Sequence, residues 1–282
     1  MQPSNVKTFK LGLIGYPLGH SLSPKIHMAA LNSCGLEGVY SLFPIHPDDK
    51  QSLKDLLDRL RSGEITGLNV TIPHKQNVIP LLDELTPTAK AIGAVNTIYI
   101  RADKLIGDNT DAAGFLADLK KYLTTKTRRH EDSNALVLGA GGAARAVAYA
   151  LVNDGWSVTL TARRIEQAQE LARRFENTKS LELNLQTLNS SNIQLMVNTT
   201  PVGMTPNIDD SPLPQNVMLP EDVLIYDLIY NPRETRLVRE ARAQGLQATT
   251  GLGMLIEQAA LAFECWTGYK PSREILWNAA EN

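Results

Sequence analysis

Cysteine is scarce. Cys34 and Cys265 are the only two in 282 residues, far apart and outside any C-x-x-C or zinc-binding spacing. That excludes a disulfide framework and a zinc module; both read as small apolar side chains or free thiols, in keeping with a reducing compartment. The five histidines show no metal-ligand spacing either, His20 and His27 being the nearest pair, so no metal is expected. An excess of charge of one sign is also missing. Twenty-eight basic residues against thirty acidic ones leave a formal net charge of −2, which gives no electrostatic case for nucleic acid or an anionic membrane as partner. The densest basic stretch, Lys126-Thr127-Arg128-Arg129-His130, reads as a solvated linker. No apolar run approaches the ~20 residues of a membrane span. Met1 to Lys10 is polar and has no signal-peptide core. A cytoplasmic protein, monomer or homodimer, acting on a small molecule is the expectation.

What is present is an ordinary globular composition, 43% hydrophobic and 21% charged, on a chain long enough for one large or two modest domains. Leu11 to Gly15 is a buried strand candidate. Ser23 is placed as the N-cap of a helix opened by Pro24 and closed at Gly35, with Ser21 and Ser23 on the loop before it as a candidate anion site. Val39 to Ile45 is a second strand. Asp48 to Arg61 is an amphipathic helix on Leu53, Leu56, Leu57 and Leu60, with Asp48 and Asp49 in its first turn. The next strand carries Val70 and Ile72 on one face, Asn69 and Thr71 on the other, until Pro73 stops the ladder and leaves Lys75 near the strand end. A helix through Val78, Leu81 and Leu82 follows, then a short one from Pro87 to Ile92. Val95–Ile100, bearing Asn96, and Lys104–Gly107 form a hairpin. Asp111 stands just before a helix from Ala112 to Tyr122, where a cap is the simplest role. This alternation predicts a mostly parallel, covered sheet.

After the polar stretch Thr124 to Asn134 the pattern changes. The run Ala135-Leu136-Val137-Leu138 leads into Gly139-Ala140-Gly141-Gly142-Ala143-Ala144 and a helix from Arg145 to Val152. Strand, G-x-G-x-x-A and helix, followed by the strand Ser157–Thr161, point to dinucleotide binding. The first glycine permits the tight turn, the second lets backbone approach a pyrophosphate, and the small third residue lets the helix pack closely. An acid at the end of the second strand would select NAD. Ala162-Arg163-Arg164 stands there instead, and guanidinium groups suit the 2′-phosphate of NADP. A helix from Ile165 to Phe175, strands Gln194–Asn198 and Val223–Leu228, a helix from Glu234 to Ala243 and a long helix from Met254 to Trp266 complete the reading.

Gly19-His20-Ser21-Leu22-Ser23-Pro24, Asn69-Val70-Thr71-Ile72-Pro73-His74-Lys75, Gly93-Ala94-Val95-Asn96-Thr97, Gly107-Asp108-Asn109-Thr110-Asp111, the glycine loop, Asn198-Thr199-Thr200 and Gly251 to Gln258 occur in one order. In this the chain resembles the shikimate dehydrogenase family along nearly its whole length. The resemblance implies an α/β fold of two domains with a cleft between them: a substrate domain of residues 1–111 plus 251–282, and an inserted Rossmann-type NADP domain of residues 112–250. It implies reversible, NADPH-dependent reduction of 3-dehydroshikimate to shikimate, on the route to chorismate and the aromatic amino acids. Ser21, Ser23 and Tyr230 match groups that hold the substrate carboxylate. Thr71, Asn96, Asp111 and Gln258 match groups on the ring hydroxyls, Asn69 supports them, and Lys75, beside Asp111, matches the catalytic lysine. Gly139, Ala140, Gly141, Gly142, Ala143, Ala162, Arg163, Arg164 and Thr199 match the nucleotide side, and Leu228 and Gly251 flank the nicotinamide. The chain departs from the family in having Gln167 where a further basic residue is common, and His74 where many relatives have Phe. Relatives that also use quinate often carry Thr at the Ser23 position and an acid at the Arg163 position; this chain has neither.

Overall fold

The computed structural model describes residues 8–123, 133–184, 188, 192–215 and 217–282. The expected linker from Thr124 falls, apart from its last two residues, outside them. The chain divides into two compact units, Met1–Gly114 with Ile256–Asn282, and Phe115–Leu255. Both divisions fall inside helices, a few residues beyond the boundaries expected from sequence.

The first unit is built from β1 (Phe9–Gly15), α1 (Ser23–Ser33), β2 (Gly38–Pro44), α2 (Lys50–Arg61), β3 (Gly67–Val70), β4 (Glu84–Leu85), α3 (Pro87–Ile92), β5 (Thr97–Arg101), β6 (Lys104–Asp108) and the start of α4 (Asp111–Leu119). Its sheet runs β2-β1-β3-β5-β6-β4. Three pairings are parallel; β5 runs against both its neighbours, β3 and β6, and forms a hairpin with β6. Ala102 and Asp103 turn that hairpin with positive φ of 50° and 59°, the tight two-residue geometry suited to strand twist. The leucine stripe of α2, Leu53, Leu56, Leu57 and Leu60, packs with Ile14, Leu68, Val70 and Ile98 in one core cluster, each buried leucine contributing roughly 1.5–3 kcal/mol.

Several local expectations need correction. Asp49 is the N-cap of α2, accepting from the Ser52 amide at 3.0 Å, so no acid lies in its first turn. Ser23 is not a cap: α1 already includes it, Leu22 holds the cap position, and the Ser23 amide donates to Ser21 Oγ at 3.2 Å. β3 ends at Val70, before Pro73, because the His74 amide donates back to the Thr71 carbonyl and turns the chain; Ile72 is left 54% exposed. The helix expected through Val78 to Leu82 is one 3₁₀ turn, Ile79–Leu81, since Pro80 lacks an amide donor and Leu82 is extended.

The second unit holds β7 (Asn134–Leu138), α5 (Gly142–Asn153), β8 (Ser157–Thr161), α6 (Ile165–Ala172), β9 (Thr178–Ser180), β10 (Ile193–Asn198), β11 (Leu224–Asp227), α7 (Arg236–Ala243) and β12 (Ala248–Thr250). The sheet order is β12-β11-β10-β7-β8-β9, and every pairing is parallel. This is the doubly wound nucleotide-binding order, with the switch between β7 and β10. α6 is shorter than expected, stopping at Ala172.

α8 (Leu252–Thr267) and α9 (Arg273–Glu281) close the chain, and α8 returns to the first unit through Trp266. A Cβ on Gly67 would sit 2.2 Å from the Trp266 ring, and Trp266 Nε1 donates to the Ile98 carbonyl at 3.1 Å, so the glycine in β3 is what admits the indole. No helix among the described residues is long and apolar enough to cross a membrane.

His27 belongs to this packing. Its ring stacks on Tyr40 at 4.5 Å and 5° and meets Trp266 at 5.2 Å; neither ring nitrogen has a hydrogen-bond partner among the described residues. Burial pushes its pKa down to about 3, with the nearby Asn69 side chain offsetting only part of that. Below pH ~6.5 the unfolded chain takes up a proton that the folded one refuses. His27 therefore costs no stability above that pH and removes up to ~1.4 kcal/mol per unit as pH falls toward 3. His27→Phe keeps a stacked ring and removes the titration, so its urea-unfolding free energy is expected to fall less steeply than the parent's between pH 6.5 and 4. Parallel curves would show that His27 is solvated or paired.

Candidate active site

The polar groups of the first unit converge where β3 ends and α4 begins. Lys75 lies on the turn after β3, its side chain 14% exposed; Nζ is 2.5 Å from Oδ2 of Asp111, whose side chain is 6% exposed. Asp111 is the first residue of α4, but its carboxylate does not cap the helix. Asn109 Oδ1 takes the Ala112 amide at 3.3 Å, which leaves Asp111 to face Lys75.

Asn96 is the hub. It precedes β5 rather than lying on it. Its Oδ1 accepts the Thr110 amide at 2.8 Å and the Thr97 hydroxyl at 3.0 Å. That fixes the orientation of the amide, so Nδ2 donates to Asp111 Oδ1 at 2.9 Å and to Gln258 Oε1 at 3.2 Å. Gln258 comes from α8, 162 residues later in the chain. Asn69 lies behind, its Oδ1 taking the Tyr40 hydroxyl at 2.8 Å and its Nδ2 donating to the Asn96 carbonyl at 3.2 Å. A continuous path of hydrogen bonds thus joins Tyr40, Asn69, Asn96, Asp111 and Lys75. Asn69, Asn96 and Asp111 are all buried, where a satisfied network is rigid and a broken one is costly.

The turn bearing Lys75 is anchored at three points. Thr71 donates its amide to the Ile14 carbonyl and Lys75 accepts from the Val95 amide, both at 2.8 Å. His74, fully buried beside it, pairs Nε2 with the Ile45 carbonyl at 2.7 Å; a carbonyl can only accept, so Nε2 carries the proton. Ser21, Ser23 and Thr71 make no hydrogen bond to the Lys75 network among the described residues. Sequence reasoning missed Tyr40, Thr97 and Thr110. The two threonines sit inside the family's motifs; nothing in the sequence singles out Tyr40.

In the second unit the glycine loop follows β7 and opens α5. Gly139 has φ +117°, and a Cβ there would stand 2.4 Å from Thr199 Oγ1, which itself donates to the Leu138 carbonyl at 2.7 Å. Gly141 holds the N-cap of α5 without any side-chain cap, and nothing lies within 4 Å of where its Cβ would be. Ala144, in the first turn of α5, is fully buried. An uncapped helix N-terminus with open space at the second glycine fits a dinucleotide pyrophosphate. Ala140, Gly142 and Ala143 are partly exposed, and so is Ala162. Arg163 and Arg164 are exposed directly after β8. Leu228 and Tyr230 follow β11, half-buried, and a Cβ on Gly251 would meet the Leu228 carbonyl oxygen at 2.1 Å, so that glycine is required for the two segments to touch. The described residues contain no cluster able to hold a metal ion.

Family models match three consecutive stretches: the shikimate dehydrogenase substrate binding domain over residues 13–98, shikimate / quinate 5-dehydrogenase over 121–234, and the shikimate 5'-dehydrogenase C-terminal domain over 251–281. The NADP(+) shikimate dehydrogenase of Methanocaldococcus jannaschii is 41% identical over 98% of this chain and 97% of its own length. Among solved structures, shikimate 5-dehydrogenase from Thermus thermophilus, in complex with NADP(H) and shikimate, is 39% identical with a TM-score of 0.85, covering 97% of this chain and 98% of that one. Quinate dehydrogenase from Corynebacterium glutamicum, in complex with NAD, is 32% identical with a TM-score of 0.83, over 96% and 98% of the two chains. The chain belongs to the shikimate dehydrogenase family.

Proposed function

We propose that this chain is a shikimate dehydrogenase that interconverts 3-dehydroshikimate and shikimate with NADP(H), and that Lys75 and Asp111 handle the proton. The observation that carries the residue assignment is the Lys75–Asp111 pair, oriented from behind by Asn96. Bound NADPH supplies the hydride. Reduction of the ketone builds negative charge on its oxygen, and the Lys75 ammonium donates a proton there; in the reverse direction the neutral amine accepts it. Asp111 holds the amine in place beside the reacting oxygen, whose single proton passes to and from Lys75. Asn96, Gln258 and Thr71 hold the ring hydroxyls, with Asn69 behind them. Ser21, Ser23 and Tyr230 hold the carboxylate. Once Ser21 takes the capping role on the Ser23 amide, the Ser23 hydroxyl is left for substrate.

Residues 139–143 and Thr199 hold the pyrophosphate side, Arg163 and Arg164 the 2′-phosphate, and Leu228 and Gly251 the nicotinamide. Ala162 lies alongside the adenosine. The substrate role belongs, Tyr230 apart, to the first unit, Gln258 of α8 included, and the cofactor role to the second.

Specificity is checked by crossing shikimate and quinate with NADP⁺ and NAD⁺. The expected order has shikimate with NADP⁺ ahead, and quinate lower by about 10-fold or more, because its extra hydroxyl competes for the Ser23 hydroxyl that the carboxylate already uses. Equal kcat/KM for the two acids would establish the broader shikimate/quinate activity instead.

A further inference from the structure

Asp227 is a fully buried carboxylate for which the reaction has no use. It ends β11 and accepts three hydrogen bonds. Asn198 Nδ2 at the end of β10 donates to Oδ1 at 2.9 Å, as does the Ile229 amide at 3.1 Å. The Thr235 hydroxyl, at the N-cap of α7, donates to Oδ2 at 2.7 Å. Across the sheet Asp227 pairs with Thr250 on β12. None of these hydrogen-bond partners is charged.

What it controls lies one step away. Because Asn198 Nδ2 faces Asp227, its Oδ1 faces Thr200 and accepts both the Thr200 amide at 3.0 Å and the Thr200 hydroxyl at 2.7 Å. Thr199, next to it, packs against Gly139 of the glycine loop. On the other side, the Ile229 amide fixes the chain directly after Leu228, the residue against which Gly251 is packed. One carboxylate therefore sets two segments that follow neighbouring strands at the carboxyl edge of the sheet, where such folds bind their nucleotide.

We propose that Asp227 is a positioning residue for the cofactor: through Asn198, Thr235 and the Ile229 amide it holds the Thr199–Thr200 and Leu228–Ile229 segments in the arrangement that receives NADP(H). This rests on the assignment of Thr199, Leu228 and Gly251 to the cofactor. It also has a pH signature. Burial pushes the Asp227 carboxyl up to about 6, against the three hydrogen bonds that favour its ionised form. Below that pH a proton on Oδ2 has to be given to Thr235 Oγ1, which reverses that bond and weakens acceptance at Oδ1. NADPH affinity therefore gains as pH rises through about 6.

The test is NADPH binding by fluorescence titration, without substrate, from pH 5 to 8, for the parent protein, Asp227→Asn and a Thr235→Val/Thr235→Ser pair. A 2′-phosphate titrates in the same range, so Asp227→Asn supplies the baseline. At pH 7.5 Asp227→Asn and Thr235→Val are expected to weaken NADPH about 5- to 10-fold while Thr235→Ser stays near the parent, as loss of a hydrogen bond to a charged group implies. The KM for shikimate, which Asp227 reaches only through Tyr230 beside Ile229, should move less than NADPH affinity does, and the parent's pH dependence should exceed the variant's by an inflection near 6. Superimposable NADPH curves for parent and Asp227→Asn, or an equal loss of shikimate affinity, would overturn the inference. Should Asp227→Asn not fold, Thr235→Val against Thr235→Ser decides it alone. Absence of NADPH binding by the parent would overturn the cofactor assignment and this inference with it, whereas tight NADPH binding without shikimate turnover would count against the activity and leave the pH comparison to decide the role of Asp227.

Discussion

Lys75→Ala is expected to lower turnover by about 10² to 10⁴, the usual worth of a positioned general acid–base, with a change in shikimate KM of only a few-fold. The split follows from the geometry. The groups assigned to the ring hydroxyls, Asn96, Gln258 and Thr71, are fixed by bonds that do not pass through Lys75: Asn96 by the Thr110 amide and the Thr97 hydroxyl, Thr71 by the Ile14 carbonyl. Removing the amine leaves those contacts standing and takes away an interaction made with charge that develops only during reaction, so kcat falls and binding does not. The Asp111 carboxylate keeps Asn96 as a partner, which preserves the fold around it. Steady-state kinetics with saturating NADP⁺ measures this directly. A turnover within a few-fold of the parent's would remove Lys75 from the chemistry.

Arg163→Ala is expected to reduce the preference for NADP⁺ over NAD⁺, as a ratio of kcat/KM, by about 10- to 10²-fold, the range for a hydrogen bond between ions. Arg163 is exposed at the end of β8, beside β7 in a fully parallel sheet, where an acid selecting the free ribose hydroxyl would otherwise stand. Efficiency with NAD⁺ should change little, since that cofactor has no 2′-phosphate to lose. Arg164 follows at once, so part of the preference should survive in the single variant and disappear in Arg163→Ala/Arg164→Ala. Equal efficiency with both cofactors in the unmodified chain would contradict the assignment at its root.

The second unit was legible because its chemistry is local in sequence: strand, glycine loop, helix and the arginines of the next strand end follow each other within about thirty residues, as the motif requires. The first unit was legible only in part. Each of Lys75, Asn96, Asp111 and Gln258 has a plain alternative on its own, a surface lysine, a strand amide, a helix cap, a polar residue on an apolar helix. Family resemblance united them; periodicity alone had no means to, since Gln258 meets Asn96 across 162 residues. Ser23 shows the opposite error. Serine before proline is a sound cap signal, but the Ser21 side chain takes that role and the helix starts one residue early. Tyr40 was invisible because its importance comes from pairing with Asn69 across the sheet. Asp227, in a strand assigned no chemical role from sequence, was invisible for the same reason. Short elements such as β4, β9 and β12, of two or three residues each, carry too little pattern to be read at all.

The central claim is that Lys75 and Asp111 act as one proton-handling unit, and a double-mutant cycle on kcat tests it most directly. With Lys75→Ala, Asp111→Asn and the double variant compared under saturating shikimate and NADP⁺, the double variant is expected to be about as slow as the slower single one, since either substitution already disables the unit. A double variant whose loss is the product of the two single losses would mean that the residues act independently, and would contradict the mechanism.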